Sequence, residues 1–257
     1  MAGTEDNDRG SMKICIIGID CATDTKKVGL ARGFLSDGEL IIDRLSKPAA
    51  RQSVCDVISD WIEPNTPTLL ALDAPLGWPA SLGQQLNGHS AGKVIPLDPN
   101  LLFRRETDRF VKRVVDQLPL EVGADRIART AVAALKYLDQ ISKTIGQVIP
   151  LAWSNELDSG LSAIEVYPAA TLKQAGFLSK GYKKPGHRAE RKEIFDALCG
   201  HTKFETKASV AIDDDDVLDA AVCVLAGSHF LMNQSLGPEN INLARKEGWI
   251  WVKMRRG

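Results

Sequence analysis

The stretch Ile14-Cys15-Ile16-Ile17-Gly18-Ile19-Asp20 decides the fold: an unbroken apolar run that stops at a carboxylate. No polar residue marks either face of it, the pattern of a strand buried on both sides inside an α/β sheet. Leu69-Leu70-Ala71-Leu72-Asp73 repeats the pattern, and Leu161-Ser162-Ala163-Ile164-Glu165 carries it a third time. Ligand sites in open α/β sheets lie beyond the carboxyl ends of the strands. Three parallel strands ending in Asp20, Asp73 and Glu165 would therefore aim three oxygen ligands into one crevice. Hard cations take such ligands, which makes magnesium or manganese the expected occupant.

Outward from these strands, Asp213-Asp214-Asp215-Asp216-Val217-Leu218-Asp219-Ala220-Ala221-Val222 reads as the start of a helix that is apolar after Asp216. Asp213 and Asp214 fit the capping and dipole preferences of a helix start. Asp219 does not, since it lies past the first turn among apolar neighbours. The spacing of Asp216 and Asp219 puts both carboxylates on one helix face.

Before the second acidic strand, 28 to 35 and 39 to 45 form an antiparallel meander with strand 13 to 20, turned at Ser36-Asp37-Gly38, and a helix near 49 to 62 follows. A long Gly/Pro-containing loop from Ala74 to Asn100 comes after strand 68 to 73. Helices about 104 to 117 and 124 to 144 then interrupt the order before strand 161 to 166, as a helical insertion spanning about 101 to 147. Helices near 168 to 175, 187 to 199 and 213 to 233 and a strand near 249 to 253 complete the chain. The class is α/β: a mixed sheet, three-strand meander plus parallel strands, flanked by helices. Residues 1 to 12 are polar and expected to be a disordered tail, with one domain over 13 to 257.

The pieces Gly18-Ile19-Asp20, Leu72-Asp73-Ala74-Pro75-Leu76-Gly77, Ile164-Glu165-Val166-Tyr167-Pro168, Asp216-Val217-Leu218-Asp219-Ala220 and Glu247-Gly248-Trp249-Ile250-Trp251-Val252 come in a telling order. In them the chain resembles the DUF429 family of predicted nucleases, thought to have the ribonuclease H-like fold. The resemblance covers nearly everything from residue 13 onward. It implies that Asp20, Asp73 and Glu165 at strand ends, with Asp216 and Asp219 on the last long helix, form one acidic catalytic and metal site.

Lys plus Arg number 32 against 33 for Asp plus Glu, so a nucleic-acid surface has to be a local patch. No apolar run approaches the roughly 20 residues that span a bilayer, which gives the expectation of a soluble, cytoplasmic protein without a membrane partner. The five cysteines lack CxxC spacing and are expected to be reduced and buried. His89, His187, His201 and His229 are scattered, which argues against zinc.

The densest basic stretch runs from Lys173 to Lys192. Lys183, Lys184 and Arg188 are its candidate phosphate contacts, and Tyr182 a candidate base-stacking residue. The expected chemistry is hydrolysis of DNA or RNA phosphodiesters at a two-ion carboxylate site. Two rivals stand beside this nuclease. One is an actin-like or sugar-kinase-like ATPase, which opens with a similar Gly-Ile-Asp strand but cradles phosphate with Gly-rich turns, whereas Cys21-Ala22-Thr23 follows Asp20 here. The other is a non-catalytic nucleic-acid-binding or scaffold protein. The sequence names no protein partner.

Overall fold

Seven fully buried residues make β1 (Ile14–Asp20) the centre of the sheet. The computed structural model describes residues 12–123, 125–157 and 160–254. Apart from Met12, the tail expected over 1 to 12 lies outside the described residues. After β1 come β2 (Gly29–Ser36), β3 (Glu39–Ser46), α1 (Val54–Trp61), β4 (Thr68–Asp73), α2 (Ala80–Leu86) and α3 (Pro99–Phe103). Next are α4 (Glu106–Val115), α5 (Asp125–Ile145), β5 (Leu161–Glu165), α6 (Pro168–Gln174) and α7 (Arg188–Leu198). The chain continues through β6 (Lys203–Phe204), α8 (Ala208–Asp213), α9 (Asp215–Leu231), β7 (Ser235–Leu236), α10 (Ile241–Glu247) and β8 (Val252–Lys253).

The main sheet has six strands in the order β5-β4-β1-β2-β3-β6. The β1–β2 and β2–β3 pairs are antiparallel, while β1–β4, β4–β5 and β3–β6 are parallel. This is the mixed α/β sheet expected, and its order is compatible with a ribonuclease H-like arrangement. The parallel register sets Asp20 opposite Asp73 and Leu72 opposite Glu165, so the three acidic strand ends finish at one edge of the sheet.

The two faces of the sheet are covered differently. On one, α9 is buried continuously from Val217 to Leu231 and packs across β1, β2 and β4. Two glycines permit that approach. A Cβ at Gly18 would stand 2.1 Å from the Ala220 carbonyl oxygen, and one at Gly29 would stand 1.9 Å from that of Asp216. Gly18 is thus as necessary to the site as the acid two residues on, because it lets the helix carrying Asp219 lie against the strand carrying Asp20.

The opposite face is covered by α1 and α5, whose Val57, Ile58, Ala134 and Ile141 join Ile17 and Leu70 in a second apolar cluster. Part of the 101 to 147 stretch expected as a helical insertion belongs to this layer. Helix α5 is a core layer, with the Tyr137 hydroxyl donating to Ala22 O at 2.9 Å, and its beginning at Ile127 and Thr130 reaches the site together with Leu120 of the segment before it.

Boundaries moved where side chains capped helices. Ser53 and Asp56 form a capping box that delays α1 to Val54. Asp214, extended at φ −135°, accepts from the Asp216 and Val217 amides and starts α9 at Asp215, so that Asp213, expected as the first residue of this helix, closes the separate α8 instead. The loop expected from Ala74 to Asn100 holds α2 and the start of α3, and β6 is two residues with too little pattern to announce itself.

Candidate functional site

Asp20, Asp73 and Asp219 form the centre: one carboxylate oxygen from each lies within 4.8 Å of the others. Two come from the ends of adjacent parallel strands and the third from the second turn of α9, which the glycine contacts press onto the sheet. Asp219 is fully buried. The Tyr182 hydroxyl donates to its Oδ1 at 2.7 Å, and the Lys183 ammonium pairs with its Oδ2. Lys183 reaches in from the surface with 52 % of its side chain exposed.

The electrostatics follow from crowding three acids at a buried point. Burial, then the neighbouring Asp219 and Asp73, push the Asp20 carboxyl well above the ordinary range, with Lys183 pulling it back. Burial raises Asp73 to about 7 against the pull of Lys183, and Asp219 and Glu165 raise it further. Burial also raises Asp219 despite Lys183 and Tyr182. Lys183 is raised in turn: burial works against its charge, but Asp219, Asp20 and Asp73 outweigh that. The chain thus sets one ammonium against three acids, a deficit of positive charge that one divalent cation would balance. The donor set suits a hard cation, because it is carboxylate oxygen alone.

Glu165 and Asp216 stand apart from this group, contrary to the expectation of five converging ligands. Glu165 is gripped by Arg105, whose guanidinium donates to Oε2 at 2.8 Å and Oε1 at 2.7 Å, and the Leu76 amide donates to Oε2 at 3.0 Å. Arg105 is in turn held by Asp108 at 2.9 Å, with all three side chains buried. A buried carboxylate with a forked guanidinium on both oxygens is already neutralised. Asp216 is tied to Lys47 at 2.6 Å, and the same ammonium meets Asp214 at 2.7 Å. Asp214, Asp215 and Asp216 form a second close acidic group. The cap geometry and Lys47 account for it.

The basic segment is reorganised too. Tyr182 is 2 % exposed, with its hydroxyl on Asp219 and its carbonyl accepting from Arg191, so its ring is not open to stack on a base. This corrects the stacking assignment: the apolar ring is worth more inside the core than in solvent beside the lysines of this segment. Arg188 pairs with Asp213 at 2.6 Å in an exposed bridge, and Lys184 is exposed. Lys183 alone of the three basic candidates reaches the acidic group.

Three pairings escaped the sequence reading. Lys47 and Lys183 reach their acids across long sequence separations, which no local pattern encodes. Arg105 is singled out by its burial against Glu165, 60 residues away, which is likewise absent from any local pattern. Cys21 is buried, and burial then Asp20 and Asp73 push its thiol well above the ordinary value, which disfavours the thiolate.

Beside the group lies a cavity of ≈ 340 Å³ bounded by Asp73 and Lys183 at one end and by the Arg105–Glu165 pair on its wall. Fold and site together define an α/β protein with a three-aspartate centre at its parallel strand ends. The chain belongs to the family described as protein of unknown function (DUF429), whose model matches residues 18–238. Neither the curated proteins nor the solved structures gave a match. No helix among the described residues is long and apolar enough to cross a membrane.

Proposed function

We propose that this protein is a metal-dependent nuclease that hydrolyses phosphodiester bonds of DNA or RNA. The observation that carries the reading is the closure of Asp20, Asp73 and Asp219 to within 4.8 Å at the strand ends, against a single half-exposed lysine. These three residues would hold magnesium or manganese. Bound there, the cation supplies charge relief on a phosphoryl oxygen and lowers the pKa of a coordinated water.

The remaining work belongs to the chain. The three aspartates hold their oxygens in place through strand register and the α9 contact, so little reorganisation accompanies ligand binding. Lys183 sets a positive charge at the same point, where a phosphate's non-bridging oxygens would meet it. Lys184 and Arg188, exposed further along, would meet neighbouring backbone phosphates and give binding a salt dependence. Glu165 serves through Arg105, fixing the end of β5 beside the site. The two-ion expectation would require Glu165 to leave Arg105 or Asp216 to leave Lys47. The group as built favours one ion with Lys183 as the second positive charge.

The test is a panel of single-stranded, duplex, hybrid and branched substrates in magnesium, manganese and EDTA, with Asp20→Asn as control. Metal-dependent cleavage abolished by the substitution is the expected result. No cleavage of any substrate, or cleavage that persists in EDTA and in Asp20→Asn, would overturn the reading.

A further inference from the structure

The cavity beside the aspartates is unlike the rest of the site, for its surface is mostly apolar. Its floor is Ala74 and Pro75 just past β4, and its far wall is Val166 and Tyr167 just past β5. Its roof is Leu120, from the segment that joins α4 to α5, and Ile127, from the first turn of α5. Asp73 and Lys183 stand at one end. A groove for a continuous polyanion has no use for such walls.

Size narrows the occupant. At ≈ 340 Å³ the cavity lies near the lower end of the roughly 300–1,000 Å³ typical of small-ligand sites. That suits one planar heterocycle with its sugar and excludes a stacked run of base pairs. Tyr167 adds direction: its ring is partly open to the cavity, its hydroxyl is steadied by Gln117 at 3.3 Å, and it feels the charges of Asp73 and Lys183. A base laid against this ring would have its phosphate towards Lys183.

We propose that this cavity receives a single unpaired nucleoside unit, so that the acidic centre acts on the phosphate of a single-stranded or frayed nucleotide rather than on an intact duplex. The inference rests on the nuclease reading for its reaction, but the binding of a nucleotide in the cavity stands by itself. A paired base would have to leave its stack to enter, a step whose free-energy cost is least when the base is already single-stranded. The roof segment therefore selects the substrate by excluding stacked bases.

The experiment uses the full chain and 2-aminopurine 5′-monophosphate as a fluorescent probe in magnesium, alongside matched single-stranded and duplex oligonucleotides in the cleavage assay. Leu120→Trp fills the cavity from an exposed position, where folding is not at stake. Tyr167→Ala removes the stacking face and Tyr167→Phe keeps it. Probe binding should weaken about tenfold in Leu120→Trp and Tyr167→Ala, the value of roughly one base stack, and persist in Tyr167→Phe. Single strands should be cut about tenfold or more faster than duplexes by the wild type. Equal rates on the two, or probe binding untouched by Leu120→Trp and Tyr167→Ala, would overturn the inference while leaving the nuclease reading intact. Probe binding that responds to these substitutions in a protein that cleaves nothing would uphold the cavity and overturn the nuclease.

Discussion

Asp73→Asn should stabilise the metal-free protein at neutral pH, the reverse of what removing a buried charged group from a paired site would do. Burial raises this carboxyl from its ordinary 3.8 to about 7. The folded state therefore holds a proton that the unfolded chain has lost, and stability falls as pH rises through that interval. At 1.36 kcal/mol per pH unit, a rise from 3.8 to about 7 corresponds to ~4 kcal/mol lost above neutrality, a ceiling because the acids of the group titrate together. Asparagine keeps the shape without the charge. In EDTA, the difference in unfolding free energy between Asp73→Asn and wild type should be small at pH 4, grow by up to about 1.4 kcal/mol per unit, and level off above about pH 7. For a chain of this size each kcal/mol moves Tm by roughly 2–4 °C, so several degrees should separate the two melting curves at pH 8.

The same variant should respond less to metal. Saturating manganese stabilises the wild type according to its affinity for the folded state, and loss of one of three ligands reduces that affinity. Paired melts in EDTA and manganese at four pH values supply both comparisons. A variant less stable than wild type at pH 8, or a difference that does not change with pH, would refute the charge-crowding argument. An undiminished manganese shift would remove Asp73 from the metal site.

Glu165→Gln should behave in the opposite way, costing about 3–5 kcal/mol in denaturant melts by leaving Arg105 buried without its full partner, while its manganese shift stays close to wild type. Gly29→Ala should destabilise and weaken metal binding together, since the added Cβ would collide with the Asp216 carbonyl and lift α9 from the sheet; thermal melts with and without manganese read both. Burial, then the neighbouring Lys253 and His201, hold the His229 imidazole down to about 3 against an ordinary 6.5. The unfolded chain binds that proton first, so the stability His229 contributes is present above pH 6.5 and lost as pH falls towards about 3. His229→Gln should flatten the acid limb of a urea-monitored stability profile in that window.

The sheet was legible because β1 and β4 must satisfy burial on both faces with their own side chains, so the apolar runs of Ile14–Asp20 and Leu69–Asp73 are local records of a tertiary fact. The terminal carboxylates were legible for the same reason, since an acid closing such a run is a break in pattern. Electrostatic partnership leaves no such record. Glu165 and Asp73 end their strands alike, and nothing within either run tells that Arg105 neutralises the first at 2.7 Å while only the more distant charge of Lys183 offsets the second. Nor does the aspartate run from 213 to 216 disclose that one member caps α9 and another answers to Lys47, 169 residues away. What marks the candidate metal ligands in this chain is therefore a subtraction among the acids expected at the site: Glu165 is answered by Arg105 and Asp216 by Lys47, while Asp20, Asp73 and Asp219 share Lys183, which meets only part of their charge. Any sequence in which further cations reached those three would keep the fold and every acidic motif, yet leave a metal no uncompensated charge to balance. That makes Lys183, more than another aspartate, the residue whose replacement reads out the argument: without its pull the acids are raised further, so Lys183→Met should carry the pH-dependent loss of stability of the metal-free protein to higher pH than in the wild type and enlarge its manganese shift, and an unchanged pH profile would show that the ammonium does not govern the charge of the group.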